Sequence, residues 1–150
     1  MSRKEIDAFI EQQILCRIAF GGKMAPHIAP FQYAFLNCKM YFHFTGYGKK
    51  MDLLEEGVPV CVEVEKYLPD LSEYNFVVLT GKLQVVEDKN EKAAAVAKMV
   101  ETAQKKRLSS NFLHAHGFPK VAGWTALAED KSLVIVKLIE VSEILGLKSE

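Results

Sequence analysis

Three cysteines, one tryptophan and no excess of either charge rule out several kinds of protein at once. Cys16, Cys38 and Cys61 are odd in number, single and far apart. Neither a disulfide framework nor a paired-cysteine zinc site follows from such spacing, and the thiols are expected to be reduced, in the cytoplasm. Nineteen Lys and Arg balance nineteen Asp and Glu, so no overall field holds the chain to nucleic acid or to an anionic membrane. Any anion site must be local. Long apolar runs are also missing. None spans a bilayer, and Met1-Ser2-Arg3-Lys4-Glu5 lacks the apolar segment of a signal peptide. No repeat, low-complexity tract or linker interrupts residues 1–150, which are expected to form a single domain around one core. With 49% hydrophobic and 25% charged residues, that domain is globular rather than disordered.

What is present centres on Met40-Tyr41-Phe42-His43-Phe44-Thr45-Gly46-Tyr47-Gly48-Lys49-Lys50-Met51-Asp52-Leu53-Leu54. An apolar strand runs into a glycine-opened turn, and two lysines stand at the start of a short helix. Free backbone donors, a helix N-terminus and two cations make a candidate phosphate cradle. The same residues also suit a plain strand-to-helix connection with solvated lysines. Gly46-Tyr47-Gly48 is not a dinucleotide fingerprint, because neither its spacing nor its surroundings form a strand-helix-strand unit.

Along the rest of the chain, Ser2 and Glu5 have capping-box spacing and begin an amphipathic helix with Ile6, Phe9 and Ile10 on one side. Residues 14–20 and 25–36 read as a hairpin around Gly21-Gly22-Lys23. In its second strand His27, Ala29, Phe31, Tyr33 and Phe35 alternate with Ile28, Pro30, Gln32, Ala34 and Leu36. Pro30 cannot donate to a ladder, so that strand is an edge, is bulged, or has something else beside it there. After the glycine turn comes a helix over 49–56, stopped by Gly57, then a strand whose Val60, Val62 and Val64 alternate with Cys61 and Glu63. Cys61 reads as a small buried hydrophobe. Residues 74–87 are long enough for one bent strand or two, with the bend at Gly81, Asn90 caps a helix reaching about Arg107, residues 108–123 show no period, and 133–141 is a nearly all-apolar strand. With no helix between most successive strands, the order predicts a mainly β fold with peripheral helices: an antiparallel barrel of six or seven strands rather than a parallel sheet.

The ordered set Ala25-Pro26-His27-Ile28-Ala29-Pro30-Phe31-Gln32-Tyr33, Met40-Tyr41-Phe42-His43-Phe44-Thr45, Gly48-Lys49-Lys50 and Val58-Pro59-Val60-Cys61-Val62 resembles the FMN-binding split-barrel proteins of the pyridoxamine phosphate oxidase-like superfamily. Within it, the small flavoproteins related to nitroimidazole-resistance proteins are nearest. The resemblance implies a split β-barrel homodimer with FMN between its subunits. Ile28, Ala29, Pro30, Phe31, Gln32 and Tyr33 would line the ring and ribityl chain, His43, Phe44 and Thr45 would add contacts, and Lys49 with Lys50 would hold the phosphate. Trp124 either caps the ring from the partner subunit or is a core residue. It further implies an oxidoreductase using NAD(P)H and a small-molecule substrate. The C-terminal Ser142-Glu143-Ile144-Leu145-Gly146-Leu147-Lys148-Ser149-Glu150 lacks the arginine with which true pyridoxamine phosphate oxidases hold substrate, which argues against vitamin B6 oxidation. Alternatives are a flavin or haem carrier without turnover and a reductase using the deazaflavin coenzyme F420. His114 and His116 could ligate haem or metal, or be coincidental loop histidines. No catalytic residue is assigned.

Overall fold

The computed structural model describes every residue except Met24 and His116. Its elements are α1 (Arg3–Gln12), β1 (Leu15–Phe20), β2 (His27–Leu36), β3 (Lys39–Phe44), α2 (Lys49–Glu56), β4 (Val60–Tyr67), β5 (Tyr74–Val85), α3 (Lys89–Lys105), α4 (Asn111–Ala115), α5 (Ala126–Glu129) and β6 (Val134–Lys148). The six strands close into an antiparallel barrel in the order β1-β2-β3-β6-β5-β4.

Period-two alternation fills the barrel. Ile18 and Phe20, Phe31 and Tyr33, Phe42 and Phe44, Val60, Val62 and Val64, Val77 and Leu79, and Val136 form one buried cluster. Burying each such side chain contributes about 1.5–3 kcal/mol. One end is closed by α1, which starts with the expected capping box: Ser2 Oγ accepts from Glu5 N at 3.3 Å, and Glu5 Oε2 accepts from Ser2 N at 2.6 Å. Ile6, Phe9 and Ile10 enter the cluster, and Tyr33 Oη donates to the Ile10 carbonyl at 2.6 Å. Met51, Leu53 and Leu54 of α2 pack against the same cluster. Gly57, at φ 67°, ends α2 as expected.

A second apolar cluster lies outside the barrel. Ala95, Val96 and Met99 of α3, with Leu113, Trp124 and Leu127, cover the outward-facing Ala34, Tyr41 and Ile135. Glu91 ties α3 to the wall: its carboxylate accepts from Lys137 Nζ at 3.0 Å and from Tyr41 Oη at 2.9 Å. The Lys137 ammonium, and after it the Tyr41 hydroxyl, hold the Glu91 carboxyl below its ordinary range.

Several expectations are corrected. Asp88, not Asn90, caps α3, its Oδ1 accepting from Glu91 N at 2.7 Å. Residues 108–123 contain the short α4, too brief to show a period. Cys61 is exposed, because the inward turn of Val60, Val62 and Val64 sends it outward, where its Sγ lies 3.6 Å from Thr80 Oγ1. β6 runs on to Lys148, its second half paired only with β5. The bend expected at Gly81, by contrast, is found there, as a register shift between Thr80 and Lys82 where a Cβ would meet the Ile139 carbonyl at 2.6 Å.

Gly81→Ala is therefore expected to cost about 1–3 kcal/mol of stability; a circular-dichroism melt matching the parent would refute the close approach. The depressed Glu91 carboxyl contributes stability that is complete above the ordinary carboxylate pKa and is lost as pH falls through the lowered one. Glu91→Gln should accordingly flatten the acid limb of a plot of melting temperature against pH.

Candidate functional site

The barrel is split at one place. β2 and β3 are paired only from Tyr33 with Phe42 to Leu36 with Lys39. Beyond that point His43 and Phe44 pair with Ile135 and Val134 of β6, while residues 27–32 keep only β1 as a strand partner. Pro30 sits on this free flank, opposite Arg17, where a missing N–H costs the ladder least. The register, extended by one step, sets Gln32 across the gap from His43.

The sequence-derived residues fall into separate groups around the split. Phe31, Tyr33 and Phe44 face the barrel core, with Phe31 and Phe44 stacked at 5.0 Å and 22°; Ala29 packs beside them. Ile28, Pro30 and Gln32 take the opposite face of β2. Ile28 is 62% exposed and Gln32 only 3%. Neither the Gln32 Nε2 nor its Oε1 has a hydrogen-bond partner among the described residues. Leaving such a group unsatisfied costs about 1–3 kcal/mol. His43 is buried, with its ring 6.4 Å from Phe112 in an edge-on arrangement. Trp124 is a member of the outer cluster, and its indole N–H already donates to the Leu108 carbonyl at 3.0 Å.

The two lysines differ. Lys49 is exposed and makes no ion pair among the described residues. Lys50 lies over the aromatic end of the barrel, its Nζ 5.4 Å from the Phe31 centroid and 5.5 Å from that of Phe44. That position is a cation–π seat, and partial burial pulls the ammonium below the usual lysine range. Both lysines follow Gly48, whose φ of 95° needs a glycine. The helix they begin has no side-chain cap, leaving N-terminal donors for another acceptor.

Beside the glycine turn is a cleft of about 530 Å³, within the size range of ligand pockets. It is lined by His43, Thr45 and Tyr47 from the end of β3 and the turn after it, and by Phe118, Asp130 and Ser132 from the segments between α4 and β6. Thr45 Oγ1 donates to the Tyr47 carbonyl at 3.3 Å. Asp130 Oδ1 accepts from Ser132 N at 2.9 Å and from Ser132 Oγ at 2.6 Å. Of the two histidines considered as ligands, His116 lies outside the described residues. His114, on α4, has its Nε2 buried without a partner among the described residues. No group of three or more potential metal ligands occurs among the described residues.

A family model described as pyridoxamine 5'-phosphate oxidase matches residues 2–123. The chain belongs to that family. Solved structures share its fold. A conserved hypothetical protein of Mycobacterium tuberculosis aligns at TM-score 0.76 and 14% identity, over 100% of this chain and 86% of the other. An FAD and heme binding protein of Mycobacterium smegmatis gives 0.67 and 15%, over 99% and 72%. A candidate 5-nitroimidazole antibiotic resistance protein of Bacteroides thetaiotaomicron gives 0.62 and 18%, over 97% and 82%. No curated protein matches. At these identities the likeness concerns the fold.

The family resemblance directs attention to β2, β3 and the lysines and is silent on the far wall of the cleft. Phe118, Asp130 and Ser132 come from stretches with no period, and Asp130-Lys131-Ser132 announces only a turn. Lys50→Ala should lower unfolding stability by about 0.5–2 kcal/mol in urea denaturation, and Lys49→Ala by no more than about 0.5 kcal/mol. Equal losses would mean that Lys50 does not rest on the rings.

Proposed function

We propose that this member of the pyridoxamine 5'-phosphate oxidase family binds FMN along the split, as a cytoplasmic homodimer, and serves as an NAD(P)H-dependent oxidoreductase for a small molecule other than vitamin B6. The observation that carries the reading is the buried Gln32 amide. A donor and an acceptor stand unpaired where β2 and β3 part, and the polar edge of a flavin ring offers the complementary pair. Exposed Lys49 and the uncapped start of α2 would meet the phosphate, while Lys50 would have to leave its rings to join it. Flavin would supply hydride acceptance and donation; the chain's part is to seat the ring and keep water from it.

A second copy has a face to occupy. The outward side of β1, β4, β5, the first half of β2 and the far half of β6 carries Ile28, Leu145 and Leu147 at 62%, 52% and 52% exposure. Register puts Pro30, Arg17, Glu63, Val78 and Leu145 in one row across it. Covering this row would also cover the open flank of β2, so the partner would complete the flavin site. No helix among the described residues is long and apolar enough to cross a membrane. The haem alternative is favoured by one observation, the buried and unpartnered His114 Nε2, and by the heme-binding relative.

Titration of the purified protein with FMN tests the reading. Lys49→Ala should weaken FMN binding by about 1.5–3 kcal/mol and leave riboflavin unaffected. Gln32→Leu should raise the melting temperature of the flavin-free protein yet loosen FMN, a pairing that a purely structural role would not produce. Leu145→Glu should yield monomers by light scattering. A spectrum bleached by NAD(P)H supports turnover. A Soret band would move the reading to haem, and a blue-fluorescent ligand to coenzyme F420.

A further inference from the structure

We propose that the cleft between the glycine turn and the Asp130 loop is a binding site for an aromatic organic cation, with Asp130 as its anionic contact. It deepens the flavin reading by naming the substrate class beside the ring, but the binding step does not depend on flavin. Asp130 is the only Asp, Glu, Lys or Arg that lines the cleft among the described residues. None of the neighbouring lysines lines the cleft: Lys50 lies over Phe31 and Phe44, Lys49 and Lys120 are outside the lining, and Lys131 lines a separate pocket with Lys89 and Lys92 that Asp130 also borders. The Asp130 carboxylate is held by two hydrogen bonds from Ser132 to a single oxygen, Oδ1, and no lysine or arginine pairs with it among the described residues. It is a half-buried, positioned anion with an oxygen to spare.

The rest of the lining suits a cation with an aromatic body. Tyr47 and Phe118 bring two rings to the cleft, while Phe44, which also borders it, keeps its ring in the core beneath Lys50. Tyr47 is 75% exposed, so its face is available at the mouth. Aromatic faces and a carboxylate attract an ammonium together, the first through the ring quadrupole and the second through charge. An anion of the same shape would meet repulsion from Asp130 and gain nothing from the rings. The lysine turn and the cleft thus sort ligands by sign, phosphate to one and ammonium to the other.

Three probes of one shape test this on the full-length protein: benzylammonium, benzyl alcohol and benzoate, followed by amide chemical shifts of Thr45, Tyr47 and Ser132. Benzylammonium should bind about tenfold more tightly than benzyl alcohol, and benzoate least. Asp130→Asn should shrink the preference to about twofold or less while FMN affinity stays at the parent value. Tyr47→Leu, at an exposed position that the fold does not need, should weaken the cation more than the alcohol. Equal binding of the three probes, tighter benzoate, or a preference that survives Asp130→Asn overturns the proposal. Cation discrimination in a protein that takes no FMN would sink the flavin reading alone, and FMN binding without discrimination would sink this one alone.

Discussion

The parting of β2 from β3 after Tyr33 and Phe42 is the constraint on which the other features depend. β6 takes β3 as its partner on one flank and β5 on the other, which closes the barrel without using the first half of β2 on both sides. That half is left with a free flank, a proline that tolerates it, and an amide side chain that no described neighbour satisfies. The end of β3, drawn toward β6, delivers His43, Phe44 and Thr45 to the cleft and the glycine turn to its rim. A β2–β3 ladder continued to its full length would consume the backbone groups and the gap together.

Charge is distributed around this split with little waste. The paired lysines are adjacent in sequence but physically unlike: one is solvated, and the other lies on two phenylalanine rings at the end of the core. Lys50 obtains from those rings part of the stabilisation that water would have given its ammonium. Helix α2 contributes no fully buried residue, so its attachment rests on half-buried Met51, Leu53 and Leu54 and on this cation. The helix that presents the cationic turn is therefore among the more lightly held elements, as ligand-binding segments commonly are. By contrast, α3 is pinned by a buried apolar stripe and by Glu91 with its two partners.

Much of the fold was legible in the sequence wherever one rule acted alone. The capping box at Ser2 and Glu5, the stop at Gly57, the valine alternation of β4 and the bend at Gly81 each follow from local chemistry, and each is found where expected. Legibility fails where two rules compete. Asp88 and Asn90 are both competent caps, and the tether of Glu91 to Tyr41 and Lys137, a contact between distant segments, favours the earlier start. The last residues of β6 alternate exposed with half-buried positions, so they lack the apolar density that marks its first half. At the site, the residues of β2 and β3 could be named from the motif, but not which of them face the core. Sequence spacing gives parity; it does not say which parity is inward. Nor could it reveal that Lys49 and Lys50 part company, since that depends on Phe31 and Phe44 meeting across the split.

The filled lumen decides where a flat ligand can go. Phe20, Phe31, Phe42 and Phe44 occupy the barrel at 4% exposure or less, α1 closes one end, and α2 with Lys50 lies over the other. A tricyclic ring cannot enter without ejecting several of these side chains, at about 3–5 kcal/mol for each large one lost from a core. The flavin proposed above would therefore lie outside the lumen, along the free flank of β2. That surface is convex and covers only one side of a planar ring, whereas tight binding of a cofactor requires most of its area to be buried. The remaining side has to come from elsewhere. The bare face that begins at Ile28 and Pro30 and continues to Leu145 adjoins that flank, so a body packed on one would overlie the other. On the proposed reading, a solid barrel with an open flank would couple cofactor retention to association: whatever stripped a second copy from the face would also uncover the ring.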